Sequence, residues 1–84
     1  MEDLRLDGNA IGGLLLELFG TDLTAAGSVC GGCGAHEEVA RLDVYHGAGV
    51  VVRCRHCEAV VIRIVQGPQR TWLDLSGTKT LVLG

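Results

Sequence analysis

Two cysteine pairs, Cys30-x2-Cys33 and Cys54-x2-Cys57, stand twenty residues apart in this chain. Few folds return both pairs to one point. Two residues between cysteines let both sulfurs face a single ion while the intervening amides turn toward the thiolates, and two such knuckles complete a tetrahedron. The spacing sits at the upper edge of the C-x2-C-x15-20-C-x2-C range read as a zinc site. In Cys30-Gly31-Gly32-Cys33-Gly34 the glycines permit close backbone approach and positive φ. Cys54-Arg55-His56-Cys57-Glu58 has no glycine after its second cysteine, which predicts a less relaxed or differently turned knuckle.

The chain needs such a site. At 84 residues it buries only about 60% of the surface its unfolded form exposes, a size at which a metal, disulfides or a partner commonly completes the stability. With 48% apolar and 20% charged residues it is far from a disordered composition. Phe19, Tyr45 and Trp72 are its only aromatic residues, so the core is expected to be Val, Leu and Ile.

Zinc is the favoured ion, with mononuclear iron as the rival, because tetrahedral S4 geometry suits both. Two structural disulfides conflict with a cytosolic setting, and a thioredoxin-like pair needs a βαβ context that a hairpin between the pairs does not supply. Four thiolates leave no open position on the metal, so the reading is a structural site and not an enzyme. Nothing else in the chain supplies catalysis or a small-molecule site. Gly47-Ala48-Gly49 precedes a strand and lacks a third glycine, and Glu37-Glu38 reads as solvated. His36, His46 and His56 read as surface histidines, with His56, inside a knuckle, as the one conceivable substitute ligand.

Residues 8–19 place Ile11, Leu14, Leu15, Leu18 and Phe19 on one side of a short helix, with Asp7 or Asn9 to cap it and Gly20 to end it. Gly12 and Gly13 each cost it about 1 kcal/mol, so it must dock on something. A weak helical turn is suggested at 23–26. Strands are expected at 39–45 and 50–53, joined by His46-Gly47-Ala48-Gly49 as a hairpin, then at 59–65 and 71–75. The resulting fold is α+β: a zinc ribbon with a three- or four-stranded antiparallel sheet and the N-terminal amphipathic helix packed on it. One domain, 1–84, is divided into an N-terminal helix (1–20), a linker (21–29), the ribbon (30–76) and a tail or last strand (77–84).

Glu2, Asp3 and Asp7 with Arg5 do not make a secretory signal, and the apolar stretch ending at Glu17 is too short for a bilayer of about 30 Å. A cytoplasmic protein without a membrane segment is expected. Arg41, Arg53, Arg55, Arg63 and Arg70 suggest a phosphate-binding strip, weighed against an ordinary solvated face because aromatic stacking partners are scarce. Leu4, Leu6 and the helix carry more apolar surface than a small ribbon covers, so Leu14, Leu18 and Phe19, together with Trp72, are the candidate contacts to a protein partner or a second copy. Trp72 reads first as a core anchor and second as such a contact.

Leu6-Asp7-Gly8-Asn9-Ala10, the two cysteine pairs, Val50-Val51-Val52-Arg53 and Thr71-Trp72-Leu73-Asp74-Leu75 together resemble a family of short, uncharacterised actinobacterial zinc-ribbon-like proteins. The resemblance implies a bacterial cytoplasmic protein with a metal knuckle and brings no activity. The four cysteines alone also resemble the zinc ribbons of transcription and translation factors. The function expected is a non-enzymatic zinc-stabilised protein-interaction module, with a nucleic-acid-binding ribbon second and a rubredoxin-like iron electron carrier third.

Overall fold

The computed structural model describes residues 5–83; Glu2, Asp3 and Leu4 lie outside them. Strand β1 (Arg5–Asp7) leads into a 3-10 turn (Gly8–Ile11) and helix α1 (Gly12–Phe19). The Asp7 carboxylate accepts the Asn9 N–H at 3.1 Å, satisfying one of the donors a helical start leaves free. Gly20 ends the helix at φ 73°, its N–H donating to the Leu16 carbonyl at 2.8 Å. The expected start and stop signals therefore hold, but the first turn is 3-10. It packs against a second 3-10 turn (Val39–Arg41) so closely that a side chain on Gly8 would strike the Val39 carbonyl.

The remaining elements are β2 (Gly27–Cys30), β3 (His36–Glu38), β4 (Asp43–His46), β5 (Val50–Arg53), β6 (Val60–Gln66), β7 (Thr71–Asp74) and β8 (Thr78–Val82). They form two antiparallel sheets among the described residues, one of five strands in the order β1-β4-β5-β6-β7 and one of three in the order β3-β2-β8. This corrects the single sheet of three or four strands. It also corrects the linker, since residues 27–30 are the central strand of the smaller sheet. Gly27 and Ser28 hid that strand: the inward positions are Ser28 and Cys30, and buried Ser28 donates its hydroxyl to the Glu37 carbonyl at 2.8 Å. The tail is strand β8, paired with β2. Residues 39–41, expected as strand, form the second 3-10 turn because Val39 and Ala40 donate their N–H groups to the Ala26 and Thr24 carbonyls.

Alternation along the larger sheet separates its two faces. Val44, Val52 and Ile62 lie opposite one another in register and point inward, as does Ile64. Each such buried side chain contributes about 1.5–3 kcal/mol relative to exposure. Ile11 and Leu15 from the helical segment, with Leu23, Val39 and Leu42, close the core over that face. The outward face follows the other parity, with Tyr45 opposite Val51, Val51 opposite Arg63, Arg63 opposite Asp74 and Val65 opposite Trp72. Trp72 is therefore no core anchor. It is 56% exposed, with its ring beside Gly67.

The two sheets are stitched where β8 begins. The Thr78 hydroxyl donates to the Val61 carbonyl of β6 at 2.8 Å, and the Gly31 N–H, donating to the Gly77 carbonyl at 2.9 Å, extends the β2–β8 pairing up to that junction. Gly77 lies so close to the Val60 carbonyl that only a glycine fits there.

Candidate metal centre

Each cysteine pair sits in the turn of a different hairpin. Cys30 and Cys33 belong to the β2–β3 connection of the smaller sheet, and Cys54 and Cys57 to the β5–β6 connection of the larger one. The twenty residues between the pairs are thus not one hairpin, as the spacing suggested. They leave the first sheet through β3 and enter the second through β4 and β5.

The knuckles repeat one another bond for bond. In the first, Gly34 N–H donates to Cys30 O at 2.9 Å and Cys30 N–H to Ala35 O at 3.0 Å; in the second, Glu58 N–H donates to Cys54 O and Cys54 N–H to Ala59 O, each at 2.9 Å. The amide two residues after the first cysteine turns onto its sulfur in both: Gly32 N–H to Cys30 Sγ at 3.3 Å and His56 N–H to Cys54 Sγ at 3.4 Å. The strand register slips just before each knuckle, between Val29 and Cys30 and between Val52 and Arg53, the kind of irregularity that re-aims a side chain.

All four Sγ atoms lie within 4.8 Å of one another. Across the two knuckles, Cys30 and Cys57 are 3.7 Å apart, as are Cys33 and Cys54. A tetrahedral ion with metal–sulfur bonds of about 2.3 Å requires sulfurs about 3.8 Å apart. The cysteines are free thiols, Cys30 and Cys54 buried, Cys33 and Cys57 exposed. The donor set and its spacing fit a metal ion, with one buried and one exposed sulfur from each sheet.

Proton affinities in the cluster are split. The Cys33 N–H favours the Cys30 thiolate, burial opposes it, and the Gly32 N–H and the Cys57 and Cys33 thiols add support, so that Cys30 is lowered from 9.0 to about 6. Cys33 is pushed up to about 12: the Ala35 N–H favours its thiolate, but desolvation and the sulfurs of Cys57, Cys54 and Cys30 outweigh that amide. Negative charges crowded at this spacing repel one another, and a cation among them relieves the repulsion.

The charge around the site is arranged differently from what proximity in sequence suggested. Arg53 donates Nη1–H to the Glu58 carbonyl at 2.9 Å and holds the second knuckle's exit, with its guanidinium 5.8 Å from the centre of the Tyr45 ring. His56 is not among the clustered donors; its Nε2 lies 3.1 Å from Glu37 Oε2. Glu37, on β3, therefore ties the second knuckle to the first knuckle's sheet. No local sequence signal marked that pair, because it depends on how the sheets meet. Arg41 also approaches Glu37, at 3.9 Å, and Glu38, at 3.8 Å.

The model of a protein family of unknown function, DUF6510, matches residues 2–83. The chain belongs to DUF6510. No curated protein and no solved structure matches it. In this DUF6510 chain the other candidate contacts separate: Leu14, Leu18 and Phe19 are half-buried against the core, whereas Trp72 stands clear of it. Arg53 and Arg63 share the outward face of the larger sheet, Arg41 and Arg55 line a separate cleft with Asp7, Glu38 and Asp43, and Arg70 is exposed beside β7. No helix among the described residues is long and apolar enough to cross a membrane.

Proposed function

We propose that the chain is a non-enzymatic, zinc-stabilised protein-interaction module acting in the cytoplasm. Four thiolates would fill the coordination of zinc and leave no position for water or substrate, so the ion's contribution is to fix two small sheets to each other. Binding of a structural zinc ion is worth on the order of 10 kcal/mol, as much as the whole stability of a small domain. The observation that carries the interaction half is Trp72. The largest side chain of a chain poor in large side chains is 56% exposed, and Val65, opposite it on the same sheet face, is 39% exposed. Burying such a ridge in a partner is favourable, and aromatic anchors of this kind dominate binding energies.

The test is photo-crosslinking from a reactive side chain placed at Val65 in the natural host. The module predicts discrete protein adducts that disappear when Trp72 is changed to Ser in metal-loaded protein. A folded chain with no adduct contradicts it.

One observation favours a second reading, a nucleic-acid-binding ribbon. Tyr45, Arg53, Arg63 and Trp72 share one sheet face, which supplies the stacking groups the arginine strip lacked as a sequence pattern. Asp43 and Asp74 share that face too, so the protein reading ranks first. Steeply salt-dependent quenching of Trp72 fluorescence by a single-stranded oligonucleotide, lost in Arg53→Glu and Arg63→Glu, would reverse the order.

A further inference from the structure

The strand that carries Trp72 is the last in the five-stranded order, and among the described residues no segment pairs with its outer edge. The direction of its free backbone groups follows from one hydrogen bond. Gly67 N–H donates to Arg70 O at 2.8 Å across the turn between β6 and β7, which makes Gly67 and Arg70 a hydrogen-bonded pair. Antiparallel pairs alternate between bonded and non-bonded positions, so Trp72 and Asp74, opposite Val65 and Arg63, direct their backbone groups to β6. Thr71 and Leu73 direct theirs to the open edge.

We propose that this edge pairs with the same edge of a second copy of the chain, joining two larger sheets into one of ten strands. The inference rests on the reading of the Trp72 region as an interaction surface and names its partner. A two-fold axis through Trp72 gives a register in which every feature of β7 is answered by itself. Thr71 lies opposite the partner's Leu73 and Leu73 opposite the partner's Thr71, forming two bonded pairs from the outward backbone groups. Trp72 meets the partner's Trp72 at the non-bonded position, where side chains approach most closely. Two positions to either side of the axis, Arg70 faces the partner's Asp74, so the register is charge-complementary in both directions.

The same face is thereby continued from one copy to the other, and the Val65–Trp72 ridges merge. Other edges are blunted in ways known to discourage pairing: β3 has three residues, two of them glutamates, and β8 carries Lys79. Between Thr71 and Leu73, β7 carries no charge and no proline.

The test is the molecular mass of metal-loaded protein by sedimentation across a concentration series, with three variants whose metal content and circular dichroism match the parent. Wild-type chain is expected to double its mass as concentration rises. Leu73→Pro removes an outward N–H without touching the β6–β7 ladder and is expected to weaken association at least tenfold. Arg70→Glu and Asp74→Arg are each expected to weaken self-association, whereas mixing the two restores a dimer, since the mixed pair regenerates both charge contacts.

A wild-type chain that stays monomeric at every concentration overturns the proposal, as does a folded Leu73→Pro chain that dimerises like the parent. Should Leu73→Pro fail to fold, absence of restoration on mixing the charge variants overturns it instead. A monomeric chain that still crosslinks to a different protein through Val65 refutes self-pairing and leaves the interaction module intact.

Discussion

Glu58 occupies in the second knuckle the backbone position that Gly34 occupies in the first, at φ 65° against φ 75°. Both residues donate their N–H to the carbonyl of the first cysteine of their pair. The turn is thus demanded by the sulfur geometry, and Glu58 adopts a left-handed conformation that a side chain disfavours.

Glu58→Gly should therefore stabilise the metal-loaded protein by about 0.5 to 1 kcal/mol, the left-handed penalty less the entropy of the added glycine. Gly34→Ala should destabilise it by about the same 0.5 to 1 kcal/mol, for the same two reasons reversed. Urea unfolding of both variants checks the pair of opposite signs. The bond from Arg53 is to the Glu58 carbonyl and survives the first change.

Helix α1 is committed to its own core through Leu15, 1% exposed, while its neighbour Leu16 is 51% exposed. Leu15→Ala should cost about 2 to 5 kcal/mol. Leu16→Ala should stay within about 0.5 kcal/mol of the parent. Equal effects in thermal unfolding would mean that the helix does not pack as described.

Acid should act at two kinds of group. Protons compete with metal for the thiolates. In the folded chain they also titrate Asp22 and Asp74. The Thr24 hydroxyl and N–H hold the Asp22 carboxyl below 3.8, and Ser76 does the same for Asp74, assisted by Arg63. The folded state then binds fewer protons than the unfolded chain, so this stabilisation is complete above pH 3.8 and disappears as pH falls through the lowered values. Asp22→Asn should flatten the acid limb of the urea midpoint plotted against pH.

His56→Ala should leave metal content unchanged, because the ring contacts Glu37 and not the sulfurs. Its half-exposed contact should be worth only about 0.2 to 1 kcal/mol. Cys57→Ala, by contrast, should abolish tight metal binding. Elemental analysis after exhaustive dialysis separates the two outcomes.

The site was legible because its chemistry is local: C-x2-C fixes a knuckle whatever surrounds it, and Cys30, Cys33, Cys54 and Cys57 come together as the spacing implied. The helix caps at Asp7 and Gly20, the hairpin turn after His46, the strand ending in Arg53 and, one residue out at each end, the strand expected at 59–65 were equally local. Strand β2 was not legible, since its inward positions are a serine and a cysteine of the four-sulfur cluster instead of alternating aliphatic residues. The division into two sheets was hidden for the same reason. Trp72 could have been placed: it shares its parity with Asp74, while Leu73 and Leu75 share the other, and the size of the ring outweighed that alternation. The contact between Glu37 and His56 had no sequence signal at all, because the chain between them crosses from one sheet to the other.

The most direct measurement is metal content and visible absorption of protein purified without added metal from its natural host, with free thiols counted before and after chelation. One zinc ion per chain, no visible absorption, and four thiols that become reactive only when the ion is removed is the predicted result. A reduced, folded chain holding no metal would contradict it.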